Sequence, residues 1–192
     1  MTRLNDFMAC PELAPISEFC LTNGTLAKYS KGQSFVDEGS LCRYIAVVRS
    51  GYFKFSVIDS KGTECTTGFS FAGDIVADYV YSFLNSQPSP TSIIAGVDSE
   101  VLRVPFGQMK ADIDKADPEY IARTAKLLLK EAYRRYIDMH RFSPYERYMK
   151  LIRRVPDLLS LVPLQELASY LSVSRRQFQR IRAQAGHLSH DK

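Results

Sequence analysis

The chain has 192 residues, 45% hydrophobic and 24% charged, as in a globular protein with room for one large domain or two small ones. No stretch approaches the roughly 20 consecutive apolar residues that a membrane helix needs, which argues against a membrane protein. The first residues mix acidic residues and prolines into the apolar positions and lack the continuous apolar core of a secretory signal. We therefore expect a cytoplasmic protein without membrane contacts.

Positive charge is concentrated at the C-terminal end. Residues 144–192 contain nine Lys/Arg and four Asp/Glu, whereas residues 1–143 contain 16 and 17. Such an asymmetry indicates a partner that carries phosphates, with a solvated basic face as the alternative. The four cysteines are irregularly spaced without a CxxC pair, so we expect reduced, mostly buried thiols and no metal site. They are Cys10, Cys20, Cys42 and Cys65.

The segment 24–106 has the pattern of β structure. Short runs rich in Val, Ile, Phe and Tyr alternate with turn signals, which we place at Arg49–Gly51 and Asp59–Gly62. Several short antiparallel strands at nearly regular spacing favour a barrel or sandwich. A short helix is expected within "IVADYVYSFLN", residues 75–85, before strand structure returns from Ser92.

A long helix is predicted from Asp117 to Phe142, with Pro118 in its first turn and no Gly or Pro afterwards. Its small and apolar residues recur in steps of four and three, the spacing of a coiled-coil seam, with Arg135 as the one break. Leu127 and Leu129 widen this stripe, so we expect the helix to contact the β domain as well as a second copy. The alternative is a helix packed only within its own chain. The predicted seam residues are Ile121, Ala125, Leu128, Ala132, Met139 and Phe142.

A new helix is predicted to begin after Ser143. Ser143 as N-cap, Pro144 at the first helical position and Glu146 three residues after the cap form a capping box. The break at Ser143 separates the long helix from a C-terminal domain, and we interpret it as a hinge.

The segment "VPLQELASYLSVSRRQFQRIRAQ", residues 162–184, predicts a helix-turn-helix. Its first helix points Leu164, Leu167, Ala168 and Leu171 inward, and the small Ala168 allows a close helix crossing. The tripeptide 172–174 forms the turn, with Val173 filling the gap between helices. Ser174 and Gln177 form a second capping box.

The second helix of this motif presents a basic outer face. Phe178 and Ile181 point inward, whereas the positions at 100° intervals around them place Arg and Gln side chains outward. Arg can pair with guanine and Gln with adenine in the major groove, and the helix N-terminus suits phosphate. A capped hairpin with a solvated basic face is the alternative. The expected DNA-binding residues are Ser174, Arg175, Arg176, Gln177, Gln179 and Arg180.

The order of β-roll, long helix and helix-turn-helix resembles the Crp/Fnr superfamily of bacterial transcription regulators over nearly the whole chain. In that family the recognition helix resembles "SRETVGR", and the matching basic positions here are Arg175, Arg176 and Arg180. Arg176 replaces a commonly acidic residue, so a different recognised sequence is implied. Ser172 stands where Gly is usual, which implies a positive φ. Little chain follows Ala185, so the two-stranded wing found in many relatives is expected to be missing.

The resemblance implies an α+β fold with an antiparallel, cupin-like β-roll and a small all-α C-terminal domain. Residues 1–116 would form the sensor with flanking helices, 117–142 the dimerisation helix and 143–192 the DNA-binding domain. The function implied is that of a homodimeric, non-enzymatic transcription regulator. Its partners would be double-stranded DNA with a near-palindromic site, RNA polymerase and a small-molecule effector.

The family's nucleotide binders use a Gly–Glu pair for ribose and an Arg followed by Ser or Thr for the cyclic phosphate. Here Gly73–Asp74 matches the first position, but Thr91 and Ser92 stand without the Arg, and no Lys, Arg or His occurs between Lys61 and Arg103. Cyclic AMP binding in the usual way is therefore not expected, and no cofactor is implied. These four residues are the candidate effector pocket, with a turn glycine and a helix-capping Asp74 as the alternative.

Other functions stay open at the sequence level. A barrel-type small-molecule-binding protein or a cupin-like enzyme is the second interpretation. A metal-dependent cupin would need His ligands inside the β domain, but all three histidines follow it. The spacing in "HLSH", residues 187–190, is that of metal ligands, but the segment lies in a tail that is expected to fray, which argues against a metal site. Tyr79, Tyr81 and Phe83 could line an apolar pocket or belong to the core. A protein-interaction module with an acidic partner is the third reading of the Arg-rich helix.

Overall fold

The computed structural model describes residues 4–117 and 119–187. Eight strands and seven α-helices follow one another along this part of the chain. The strands are β1 (Thr25–Tyr29), β2 (Ser34–Val36), β3 (Tyr44–Ser50), β4 (Tyr52–Ile58), β5 (Glu64–Phe71), β6 (Ile75–Val76), β7 (Ser92–Ala95) and β8 (Ser99–Pro105). The helices are α1 (Ala14–Asn23), α2 (Phe106–Ala116), α3 (Tyr120–Arg141), α4 (Pro144–Arg154), α5 (Leu158–Leu161), α6 (Leu164–Tyr170) and α7 (Arg175–His187).

The strands form two open four-stranded sheets, and every pair is antiparallel. Their orders are β1-β8-β3-β6 and β2-β7-β4-β5. Tyr29, Phe53 and Ile93 belong to the core between the sheets, where the Tyr29 and Phe53 rings meet edge to face at 5.5 Å. The predicted fold class is confirmed: an antiparallel β-roll followed by helices.

Both faces of β3 are buried, which explains why its apolar run does not alternate. Ala46 and Val48 point into the core between the sheets. Ile45 and Val47 point the other way and pack with Ile16 of α1 and with residues of α2. A strand that is buried on both faces reads as a continuous hydrophobic run.

The predicted turns of the β-roll are confirmed. Gly51, between β3 and β4, has a φ of +77°, a value that L side chains rarely adopt. In the next turn the Asp59 Oδ1 atom accepts hydrogen bonds from the amides of Lys61 and Thr63. These contacts join β4 to β5 with the expected polar turn.

The expected helix within residues 75–85 is shorter than predicted. Ile75 and Val76 form β6, and a π-helical turn follows over Tyr79–Leu84. The cap of this turn is Asp78, whose carboxylate accepts from the amides of Tyr81 and Ser82. Capping by Asp74, the alternative considered from the sequence, is therefore wrong.

The helix predicted from 117 to 142 is found as α3, and a separate helix, α2, precedes it. Pro118 lies outside the described residues. Leu127 packs against the core formed by α1 and β3, as expected for a helix that contacts the β domain. In the described part of the chain, no helix combines the length and apolar character needed to cross a bilayer.

Candidate nucleic-acid interface

The C-terminal helices form a compact unit around Phe178. Phe178 is fully buried and meets Tyr148 edge to face at 5.3 Å. Leu151 and Leu158 close the same core. Large apolar side chains of α4 and α5 therefore pack against the inner face of α7. The opposite face of α7 is left exposed.

Ser143 caps α4 as predicted. The Ser143 hydroxyl accepts from the Glu146 amide at 3.3 Å, and Glu146 Oε2 accepts from the Ser143 amide at 2.8 Å. The hydrogen bonds also lower the pKa of the Glu146 carboxyl below its usual value. The chain thus ends one helix at Arg141 and begins the next at Pro144, with two extended residues, Phe142 and Ser143, between them.

The turn between α6 and α7 has the predicted construction. Ala168 is 1% exposed at the helix crossing, and Val173 is half-buried against the core. Ser172 has a φ of +56°, the positive value that was expected. The Gln177 amide donates to Ser174 Oγ at 3.2 Å, and the Ser174 amide donates to Gln177 Oε1 at 2.9 Å. The second capping box is therefore present.

The six residues predicted to contact DNA lie together on the outer side of this turn and of α7. All six are exposed: Ser174, Arg175, Arg176, Gln177, Gln179 and Arg180. None of the three arginines forms an ion pair within the described residues. Three unpaired guanidinium groups beside amide side chains make a surface that can bind phosphates and pair with base edges.

The expected absence of a two-stranded wing concerns the chain after α7, which lies outside the described residues. The segment "HLSH" lies almost wholly outside that range. Among the described residues, no group of three or more His, Cys, Asp and Glu side chains could hold a metal ion. Cys20 and Cys42 are buried, and Cys10 and Cys65 are half-buried, all as free thiols. Burial raises the pKa of the Cys20 thiol to about 12.

The C-terminal unit is docked on the outer face of β4 and β5. Glu166 of α6 accepts a hydrogen bond from the Tyr52 hydroxyl at 3.1 Å and lies 3.6 Å from Lys54 Nζ. Burial, reinforced by Glu166, raises the pKa of Tyr52 above its usual value. The Thr66 amide of β5 donates to Ser169 Oγ at 2.8 Å. This interface could not be predicted from the sequence, because its contacts join residues 114 and 103 positions apart.

An N-terminal segment, residues 4–9, joins the β-roll, α3 and α4. Asn5 is 3% exposed; its Nδ2 atom donates to the Phe69 carbonyl at 2.7 Å and to Asp74 Oδ2 at 2.8 Å. Its Oδ1 atom accepts from Arg135 Nη2 at 2.8 Å. Arg154 of α4 donates to the Leu4 carbonyl at 3.1 Å. Arg135, the residue that interrupts the predicted seam, thus contacts the N-terminal segment.

The four candidate effector residues are engaged with the chain itself. Gly73 has a φ of +89°, as a turn glycine, and Asp74 accepts from the Phe71 amide and from Asn5. Ser92 Oγ accepts from the Glu38 amide at 3.0 Å. The Thr91 carbonyl accepts from the Ser89 hydroxyl at 2.7 Å. Their positions close turns and strand ends.

The aromatic residues of the π-helical turn do not form one group. Tyr79 and Phe83 stack at 4.8 Å, and Phe83 is 3% exposed in contact with Phe106. Tyr81, in contrast, is 43% exposed. Two of the three rings therefore belong to the core.

The exposed apolar stripe of α3 is displaced from the predicted seam. Among the predicted seam residues only Ala132 and Met139 are exposed, whereas Ile121, Ala125, Leu128 and Phe142 are half-buried. The stripe consists of Leu129, Tyr133, Tyr136 and Met139, which are 71%, 62%, 60% and 55% exposed. The first three recur in steps of four and three, which is again seam spacing. Over Leu129, Tyr133 and Tyr136 the exposed stripe lies one residue beyond the predicted seam, whereas Met139 belongs to both.

The fold and this surface define a protein that combines an antiparallel β-roll with a C-terminal helix-turn-helix. Residues 26–115 match the family model of the cyclic nucleotide-binding domain. A comparison with curated proteins finds no match.

Several solved structures share the fold. FixK2 from Bradyrhizobium japonicum is 18% identical, with a TM-score of 0.71 and 86% of each chain covered. A Crp/Fnr-family transcriptional regulator from Eubacterium rectale is 16% identical, with a TM-score of 0.64 and coverage of 88% of this chain and 80% of that one. The catabolite activator protein of Thermus thermophilus is 20% identical, with a TM-score of 0.54 and coverage of 94% and 85%. Together, the matched domain and these likenesses show that the chain shares the fold of these proteins, an antiparallel β-roll followed by helices.

Proposed function

We propose that the protein is a homodimeric, non-enzymatic transcription regulator of the cytoplasm that recognises a specific DNA sequence through α7. The observation that carries this proposal is the exposed, unpaired set of arginines and glutamines on one side of that helix. In the major groove, Arg176 and Arg180 would contact guanines and Gln179 an adenine. Ser174 and the free amides at the start of α7 would contact phosphate.

Dimerisation through α3 is part of this proposal. The stripe formed by Leu129, Tyr133, Tyr136 and Met139 is an apolar face of side chains that are each more than half exposed, and such faces often mark a contact with a partner. Pairing two such faces about a two-fold axis would place two α7 helices in major grooves about 34 Å apart and favour a near-palindromic site. The division into 1–116, 117–142 and 143–192 follows this assignment of roles.

The β-roll is proposed as a sensor whose effector differs from cyclic AMP bound in the usual way. The region between Lys61 and Arg103 contains no cationic residue that could neutralise a buried cyclic phosphate. An effector would act by changing how the α3 helices meet, and the break at Ser143 would convert that change into a new spacing of the recognition helices. Contact with RNA polymerase would follow from the proposed membership of the Crp/Fnr superfamily.

The central experiment is capture and sequencing of genomic fragments by the purified protein. The proposal expects a shared near-palindromic sequence among the captured fragments. For that operator, Arg175→Ala and Arg180→Ala should each weaken binding by about 1–3 kcal/mol. Lys28→Ala removes the same charge from the distant strand β1 and is the matched control, with affinity close to that of the parent.

A sequence-independent capture would contradict this proposal. So would operator affinities of the two arginine variants equal to that of Lys28→Ala. Binding of an acidic protein with no preference among DNA sequences would instead favour the interaction-module interpretation.

A further inference from the structure

The exposed side of α3 continues the spacing of its apolar stripe in both directions along the helix. Steps of four and three through Leu129 give six positions from residue 122 to residue 140, and all six are exposed. Such a spacing on one open helix face is that of a two-stranded coiled coil. In heptad notation the d positions are Ala122, Leu129 and Tyr136, and the a positions are Lys126, Tyr133 and His140.

The residues beside this seam suit a second copy of the same helix. In a parallel pair of helices about a two-fold axis, each e position lies opposite a g position of the other helix. The e position of Lys130 then faces Ala125, and that of Ile137 faces Ala132. No like charges oppose each other across these flanks, and the small alanines allow the two helices to approach. We therefore take a second α3 as the occupant of this face.

The a position of His140 brings the two copies of this residue together. In a parallel dimer, residues at an a position meet their own counterparts across the axis. Within one chain, His140 contacts the Tyr136 ring edge to face at 4.6 Å, and it forms no ion pair with a described residue. Lys126 lies two heptads earlier, where its long side chain can reach past the seam to solvent. Two imidazole rings would thus meet at the C-terminal end of the seam.

The charged groups near His140 do not compensate a positive charge on its ring. Arg141, the next residue, is itself a cation. Asp138, the nearest carboxylate along α3, lies 3.7 Å from Lys150 Nζ of α4. The Glu146 carboxylate of α4 accepts the hydrogen bonds of the capping box. The other charged residues in the first two turns of α4 are Arg147 and Lys150, which add only positive charge.

We propose that the α3 dimer is sensitive to protons, because protonation of His140 in both copies disfavours the contact. This inference rests on the dimer of the proposed function and adds its regulation. Histidine is the side chain that changes charge between about pH 5 and 8. Two neutral imidazoles can pack against each other, whereas two imidazolium groups place like charges together in a partly dehydrated seam.

The sign of the pH dependence follows from linkage. The dimer binds protons at His140 less readily than two separate chains do, so a fall in pH shifts the equilibrium toward the monomer. The dimer contact is therefore strongest above the range in which histidine titrates, and it is lost as the pH falls through that range. Operator binding that needs both recognition helices would weaken in the same direction.

The test is sedimentation equilibrium of the full chain at about pH 8 and at about pH 5.5. We expect the dimer dissociation constant of the parent to rise about tenfold or more at the lower pH. His140→Gln keeps a polar side chain without the charge at this exposed position, so its dissociation constant should change little between the two pH values. His187→Gln replaces a histidine of α7 and is the matched control, which should keep the pH response of the parent.

Oxidative crosslinking tests the position of His140 in the dimer. At about pH 8, His140→Cys should form a disulfide between two chains, because residues at an a position meet across the axis. The parent, which carries the four native cysteines, sets the background. A dimeric His140→Cys variant that crosslinks no more than the parent would show that the chains meet elsewhere and would overturn the proposal.

Two further results would overturn the proposal and leave the proposed function intact. One is a parent dimer with the same dissociation constant at both pH values. The other is a pH response of His140→Gln equal to that of the parent. A parent that is monomeric at both pH values would overturn the dimer of the proposed function, and this inference with it.

Discussion

Ser172 has a backbone conformation that glycine adopts more easily. Its φ of +56° lies in the left-handed region, where a side chain costs about 1 kcal/mol. The residue is exposed, and its side chain makes no hydrogen bond among the described residues. No side-chain hydrogen bond among the described residues therefore offsets the backbone strain at Ser172.

We expect Ser172→Gly to raise the free energy of unfolding by up to about 1 kcal/mol, because the strain is relieved. Urea denaturation measures the change. Ser172→Ala retains a Cβ atom and is the control, with little change expected. A glycine variant no more stable than the alanine variant would show that the turn is not strained.

Glu131 gives a prediction for the pH dependence of stability. Burial is the largest single effect and would raise the pKa of this carboxyl, but hydrogen bonds from Arg134 and Arg135 together hold the pKa below its usual value. A carboxyl with a depressed folded-state pKa stabilises the fold above its unfolded-state pKa, about 4.3. This contribution is lost as the pH falls through the lower folded-state pKa.

We expect Glu131→Gln to lower the free energy of unfolding by about 1 kcal/mol at pH 7. The difference from the parent should shrink as the pH falls below about 4.3. Urea denaturation at a series of pH values measures both quantities. A difference that stays constant down to pH values near 3 would contradict the assigned pKa direction.

At the scale of elements, α3 carries the proposed dimer contact. Leu129 and Tyr136 lie two turns apart on its exposed stripe. Charges at both positions would place like charges opposite each other in a two-fold interface. We expect Leu129→Glu/Tyr136→Glu to be a folded monomer in sedimentation velocity, whereas the parent is a dimer.

Lys130→Glu is the control for this experiment, because it makes the same change in net charge at an exposed position beside the stripe. It should stay dimeric. Dimers of the double variant would place the contact between copies elsewhere on the chain. A parent protein that sediments as a monomer would remove the dimer from the proposed function.

At the scale of the whole molecule, Asn5 connects the β-roll to α3. Its amide forms three hydrogen bonds, to Phe69, Asp74 and Arg135, in a buried position. Removing a buried side chain that satisfies several polar groups costs about 1–3 kcal/mol. We expect Asn5→Ala to lose about that much stability in urea denaturation, whereas Asn23→Ala, which removes one exposed amide contact in α1, should lose little. Equal losses would mean that Asn5 does not join the parts of the molecule.

Many features of the C-terminal domain could be predicted from the sequence because they depend on local interactions. Both capping boxes join residues three positions apart, whereas the positive φ of Ser172 was implied by the family resemblance. The outward direction of the arginines follows from helical periodicity around buried Phe178. These features are determined by the chain within a few residues of each position.

Features that depend on contacts between residues far apart in the chain were decided by the tertiary structure. The exposed stripe of α3 differs from the predicted seam because α1 and the N-terminal segment cover one side of that helix, and periodicity alone does not show which side is covered. A basic cleft brings together α3, α4, β5 and the turn before α7, whose cations are scattered along the sequence. The sequence by itself determined most of the elements, the two capping boxes and the outer face of α7. Only folding decided which faces remain open, because burial depends on contacts between residues far apart in the chain.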